Sequence, residues 1–180
     1  MNTLRVSLMA MVALAGFALP VAADSLTSWD TIINGPARFK VLIAFNNAAV
    51  LDHETGLVWE RSPETVTRDW LGAHRICVDK AVGIGNRKGW RVPTLQELAS
   101  LVDPTQDRGP GPALPVGHPF TNVRPDFYWS ATTFGENPAN AWGVAFADGI
   151  LIEPGARFTS KTAQFLVWCV RSGHGGPDVQ

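Results

Sequence analysis

The sequence predicts an α+β domain in which two helices pack on small antiparallel sheets, with a long irregular loop region. Three observations predict it. Short β-branched and aromatic runs are punctuated by turn residues along the 180-residue chain. Two windows carry apolar residues at helical spacing. A Pro- and Gly-rich stretch over 104–126 has almost no periodic apolar content, and long irregular loops of this kind are often functional.

Taken in order, residues 39–45 read as a first strand. A hairpin follows over 50–59, with Asp52 opening its turn and Gly56 closing it. From Thr67 to about Val82 the residues Trp70, Ala73, Cys77 and Ala81 recur at helical spacing, Ile76 and Val78 broaden the stripe, and Cys77 faces inward. Gly83 and Gly85 end that helix. Thr94 followed by Glu97 is a capping box for a second helix over about 95–102, which Asp103 and Pro104 stop. In the loop that follows, Phe120 is the expected anchor. Strands are expected at 127–132 and 142–146 around a polar turn at 136–138. An Asp148-Gly149 turn should lead into 150–152, a last strand should run over 166–171 with Cys169, and the tail from 173 to 180 should fray.

Hydrophobic residues make up 46% of the chain and charged residues 17%, so a core can form and compositional disorder is excluded. Fifteen basic side chains oppose sixteen acidic ones, and no basic run exceeds Arg87-Lys88, which removes nucleic acid as a partner. Residues 1–23 read as a secretory signal peptide: one charge at Arg5, an apolar run over 6–19, a break at Pro20, and small residues at Val21-Ala22-Ala23. The apolar run is shorter than the roughly 20 residues a membrane-crossing helix needs, and no other segment could span a bilayer. The mature chain is therefore expected to start near Asp24, with a leader over 24–37, the domain over 38–173, and a tail over 174–180. Localisation should be periplasmic or extracellular. Both cysteines, Cys77 and Cys169, fall in the exported part, where an oxidising compartment permits a disulfide, and they are expected to pair rather than serve as a reactive or copper-binding thiol pair.

No complete catalytic constellation is visible. His74 and Cys77 have metal-ligand spacing on a helix, but a second ligand pair is missing, so no metal or other cofactor is expected. Asp52, Glu54 and Glu60 cluster near the first hairpin, where a glycosidase-like acid pair competes with the simpler role of Asp52 as turn initiator, which is favoured. Ser130 lacks a Gly-x-Ser-x-Gly elbow, and Gly83-x-Gly85 lacks the strand-turn-helix setting of a phosphate loop. Trp59, Trp90, Trp129, Trp142 and Trp168 fall in strands or junctions and are expected to fill the core, while Arg91 and Arg171 should bridge carboxylates or carbonyl groups. Ligand contact is better assigned to amides and charges of the long loop and the adjoining turn: Asn122, Arg124, Asp126, Glu136, Asn137 and Asn140.

Four blocks and the closing strand carry a family resemblance: Asp52-x-x-Thr55-Gly56-Leu57-x-Trp59; Trp90-Arg91-Val92-Pro93-Thr94-x-x-Glu97-Leu98; Tyr128-Trp129-Ser130-x-Thr132; Trp142-x-Val144-x-Phe146-x-x-Gly149; and Cys169-Val170-Arg171. In order and spacing these resemble the Lcl C-terminal domain family of bacterial exported domains, over about 38–173. The resemblance implies a C-type-lectin-like fold, related to that of the formylglycine-generating enzyme, in which a helix cysteine bonds one in the final strand. The family's eponymous adhesin binds sulfated polysaccharides. This chain has no collagen-like repeat, and Glu136-Asn137-Pro138 permutes the order that calcium-dependent lectins carry in their long loop, which argues against a lectin-type calcium site. The resulting expectation is a non-catalytic binding module for a polysaccharide or glycan at the cell envelope or outside it. The rivals are a protein-interaction module of an envelope assembly and a hydrolase acting on envelope material. Oligomeric state is left open.

Overall fold

The structure, a computed structural model, describes residues 33, 37–106, 111–146 and 156–173. It is α+β, with two helices and two small antiparallel sheets among the described residues. Strands β1 (Phe39–Val41), β2 (Ala49–Asp52), β3 (Leu57–Glu60) and β7 (Val170–Ser172) form the first sheet, in that order. Strands β4 (Phe127–Thr133), β5 (Asn140–Ala145) and β6 (Ala156–Ser160) form the second.

All residues of β2 and β3 are buried, because this sheet is covered on both faces. Strand alternation sends Val50, Leu57, Trp59 and Val170 to one side and Leu51 and Val58 to the other. On the first side lie Leu98 and Leu101 with Phe120, Tyr128, Val144 and Phe146. On the second lie Ala73 and Cys77 of helix α1 (Trp70–Asp79) with Phe45, Trp90 and Trp129. The segment before β7 runs between the sheets as a spine. Leu166 and Trp168 point to the first cluster and Val167 and Cys169 to the second, and Leu166 is bonded to both Phe127 and Trp129 through the backbone. Cys77 and Cys169 form the expected disulfide, 92 residues apart in sequence. Closing a loop of that size removes on the order of 4–5 kcal/mol of unfolded-chain entropy in the loop-closure account.

Local chemistry fixes several boundaries. Asp52 accepts from the Glu54 N–H at 3.0 Å and from the Thr55 hydroxyl at 3.0 Å, so it does initiate the first turn. The same carboxylate takes two bonds from the Arg38 guanidinium, at 3.0 and 2.9 Å, deep in the fold. Helix α2 (Leu95–Ala99) carries the expected capping box: the Glu97 N–H donates to Thr94 Oγ1 and the Thr94 N–H to the Glu97 carboxylate. Glu97 is gripped from the other side by the Arg91 guanidinium at 2.6 and 2.7 Å. Phe120 is buried edge-on against Phe39 and Trp168, and so anchors the loop.

Other boundaries differ from expectation. The first strand stops at Val41 and a 3-10 turn occupies Ile43–Phe45, because Asn46 and Asn47 both adopt left-handed backbone angles (φ 54 and 59) that reverse the chain. Helix α1 starts after Asp69, whose side chain accepts from the Gly72 N–H, and it ends at Asp79 rather than near Val82. Val78 is 62% exposed, since the sheet covers only the Ala73–Cys77 stripe. Gly83 (φ +76) sits beyond the helix, where an added Cβ would meet the Phe45 backbone at 2.4 Å. Helix α2 ends at Ala99, three residues short of the expected end, and the last regular strand spans only Val170–Ser172. The Asp148-Gly149 turn, the 150–152 run, the signal-like first residues and the tail beyond 173 lie outside the described residues. On its side away from β4, β5 pairs with β6, whose five residues offer one aromatic and no apolar run.

Candidate functional site

Strands β4 and β5 pair from Phe127↔Ala145 to Thr133↔Ala141, with a register shift between Trp129 and Thr133. The first half of β4 and the second half of β5 sit in the core, and Thr132–Thr133 of β4 with Asn140 and Trp142 of β5 lie toward the less buried end. Gly143 makes the crossing feasible, since a Cβ there would meet the Phe127 ring at 2.4 Å. At the far end the chain turns tightly. The Phe134 N–H donates to the Asn140 carbonyl at 3.0 Å, the Asn140 N–H to the Asn137 carbonyl at 2.9 Å, and the Asn137 side chain accepts from the Ala139 N–H at 3.1 Å.

The β5–β6 register sets Trp142 beside Phe158 and Asn140 beside Ser160, and the two-residue period places all four on one face. The Phe134 ring lies parallel to Phe158 at 3.9 Å between centroids, and Trp142 meets both edge-on at 5.5 and 5.4 Å. These three rings belong to neither buried cluster. Phe158 is 47% exposed. The result is an aromatic ledge bordered by an amide and a hydroxyl. Around the corner, Lys161 donates to the Thr133 hydroxyl at 2.9 Å and holds its ammonium 4.0 Å from the centre of the Trp70 ring. A flat apolar surface with nearby amide and hydroxyl groups can stack against the C–H face of a sugar ring while bonding its hydroxyls.

Of the six residues assigned to ligand contact from sequence, Glu136, Asn137 and Asn140 come together at this end, Glu136 and Asn137 exposed and Asn140 partly buried. Arg124 and Asp126 lie at the opposite end of the hairpin, about 20 Å away at roughly 3.3 Å per strand residue. There the Arg124 guanidinium approaches Asp126 at 3.8 Å, and Asp126 lines a hollow of about 490 Å³ with Phe127, Ala145 and Phe165. The Arg124 N–H donates to the phenol of Tyr128, whose pKa burial pushes up to about 12. Asn122 is in a third place, its amide donating to Ser62 Oγ at 3.0 Å. The six therefore do not line one small-molecule site.

Trp59, Trp90, Trp129 and Trp168 are fully enclosed, as expected of core residues, whereas Trp142 is not. Arg91 bridges a carboxylate as expected; Arg171 instead lies over the Phe45 ring at 5.3 Å. Phe134, Phe158 and Ser160 were not singled out by sequence. A lone aromatic in an otherwise polar strand was the available signal. Of the three carboxylates near the first hairpin, Asp52 and Glu54 are paired with the Arg38 guanidinium and Glu60 shares the Lys80 ammonium with Glu64. Burial pushes the Glu60 carboxyl above the usual carboxylate range against the pull of Lys80.

Among the described residues no group of His, Cys, Asp and Glu could hold a metal ion, and no helix is long and apolar enough to cross a membrane. The disulfide is compatible with an exported protein. No curated protein matches the chain. A family model, the Lcl C-terminal domain, matches residues 48–171, from the residue before β2 into β7, thereby taking in both helices, the disulfide and the ledge strands. The chain belongs to the Lcl C-terminal domain family.

Proposed function

We propose that this protein is an exported, non-catalytic binding module of C-type-lectin-like architecture that recognises a polysaccharide, in the periplasm or outside the cell. The observation that carries the reading is the ledge of Phe134, Trp142 and Phe158, left uncovered by the core and bordered by Asn140 and Ser160. Single exposed apolar residues are ordinary on a protein surface, but here three aromatic rings meet in one place, with Phe158 47% exposed. An open ledge suits a repeating polymer better than a deep pocket does, because successive sugar units can pass across it, and display of several copies raises avidity without new contacts.

The test is a glycan array probed with the chain from Asp24 onward, displayed multivalently, beside Phe158→Ala and Asn140→Ala variants. Selective binding that both variants lose, at unchanged melting temperature, supports the reading. Equal binding by wild type and variants, or silence across neutral and sulfated polysaccharides, overturns it. A protein-docking role has its own supporting observation: Leu71 and Val78, two turns apart on one face of α1, are both more than half exposed. Capture of an envelope protein that is lost in a Leu71→Ser, Val78→Ser variant and kept in Phe158→Ala would favour that second role.

A further inference from the structure

We propose that the cleft between the end of β3 and the segment following α1 is a second binding site, for a small ligand carrying a protonated amine together with hydroxyl groups, an amino sugar being the chemical class that fits. The site is separate from the ledge and does not rest on it. The cleft measures about 510 Å³ and is lined by Asn47, Glu60, Arg61, Ser62 and Thr121, with Val82 and its neighbours as an apolar wall. That volume lies in the range of small-molecule sites.

Its most telling group is Glu60, a carboxylate only 9% exposed that lines the cleft. Oε1 is bound by Lys80, but Oε2 has no hydrogen-bond partner. A buried charged oxygen left without a donor is costly, and a ligand that supplies one recovers that cost as affinity. Oε2 is shut off from solvent, so the ligand reaches it through rotation about the glutamate's final torsion, which is broad and two-fold. The unserved oxygen selects a donor. Glu60 and Glu64 share the single ammonium of Lys80, which is bound to Oε1 of Glu60 and does not reach Oε2. The neighbouring Arg61 balances the charge of the wall as a whole, but its donors are committed to the carbonyls of Pro119 and Asn47, at 3.1 and 3.3 Å, and leave Oε2 unserved. An ammonium at Oε2 makes a charge-assisted bond, roughly twice as strong as a neutral one.

The remaining walls select hydroxyls. Ser62 Oγ already accepts from the Asn122 amide, so its own O–H is left to donate outward. Thr121 adds a hydroxyl, and Asn47, held at φ 59, adds an amide that can both donate and accept. Asn122 thus acts by positioning Ser62. A ligand with one amine and several hydroxyls satisfies the carboxylate and these groups at once, and a neutral sugar leaves Oε2 with a weaker partner.

The experiment is an amide chemical-shift titration of the protein with D-glucosamine and, separately, D-glucose, for wild type, Glu60→Gln and Asn47→Gly. Saturable shifts at Asn47, Arg61, Ser62 and Thr121 are expected with glucosamine, with glucose about tenfold weaker. Glu60→Gln should erase the preference. Asn47→Gly, which keeps the left-handed backbone and removes only the amide side chain, should weaken both sugars and keep the preference. Equal affinity of wild type for the two sugars overturns the proposal, as do shifts confined to residues away from the cleft or a preference that survives in Glu60→Gln. Because the first of these outcomes is read on wild type, the proposal stands or falls even where Glu60→Gln folds poorly.

Discussion

The central sheet and the free end of the β4–β5–β6 sheet use the same residue types to opposite ends. Around β2 and β3, Trp59 and Trp168 meet edge-on at 5.7 Å, both fully enclosed, and the Trp168 indole N–H donates to the Glu60 carbonyl at 2.8 Å. Beyond the core, Trp142 and Phe158 meet in a similar edge-on geometry at 5.4 Å while water reaches them. The difference lies in what covers the sheet. The first has α1 on one face and α2 with the Phe120 loop on the other, whereas the second outruns its cover at about Val144. Aromatic contacts with so little between them in geometry can therefore carry stability in one place and be available for recognition in the other.

This contrast can be broken experimentally, and the largest effect is expected in the core. Trp168→Ala should cost about 3–5 kcal/mol in denaturant unfolding, because the cavity lies among Trp59, Phe120, Tyr128 and Phe146 and cannot collapse, whereas Phe158→Ala should stay within about 0.5 kcal/mol. A comparable loss for Phe158→Ala would make the ledge a structural element. Next in size is the disulfide. Its removal in a Cys77→Ala, Cys169→Ala variant should cost about 2–5 kcal/mol by the same measurement and lower the melting temperature. Because Cys169 lies on the spine between the sheets, hydrogen exchange should rise more around β3 and α1 than at the 134–140 turn.

A smaller loss than that of the disulfide is expected at Glu97. Burial disfavours its charge, but the bonds from the Arg91 guanidinium and the Thr94 N–H outweigh this and hold the carboxyl below its usual range. A carboxylate with a lowered folded-state pKa contributes stability that is complete above its unfolded value, about 4.3, and lost as pH falls through the folded one. Glu97→Gln should therefore be destabilised by about 1–2 kcal/mol at neutral pH, and wild type and variant should converge in acid. A gap between their melting temperatures that persists well below pH 4 would show that the helix cap does not depend on the charge.

What could be read in advance from the chain follows from how far apart the interacting groups are. The Asp52 turn, the Thr94–Glu97 capping box and the left-handed Gly56 depend on atoms within a few residues of one another, and the sequence pattern reports them directly. The Cys77–Cys169 pair was legible for a different reason, since a chain with two cysteines and a signal-like start leaves one pairing. Val78, by contrast, was read as part of the inward stripe, because helical periodicity cannot say how wide the covering surface is. Strand β6 was missed because Arg157, Thr159 and Ser160 have little strand signature of their own and take the conformation by pairing with β5.

The candidate site shows the same division. That polar residues of the 136–140 turn would reach solvent was readable from Glu136, Asn137 and Asn140. That Arg124 and Asp126 would lie at the other end of the hairpin, and Asn122 beside Ser62, was not, since strand pairing and a contact 60 residues away in sequence place them there. By itself the sequence determined the α+β class, the family, the disulfide, the α2 capping box and the enclosed tryptophans Trp59, Trp90, Trp129 and Trp168, because each depends on composition or on short-range chemistry. Only the tertiary structure decided that Trp142 lies outside the core beside Phe134 and Phe158, and that Glu60 keeps one oxygen unpaired against a cleft. Both outcomes depend on where packing against distant segments stops, and no local pattern in the chain encodes that limit.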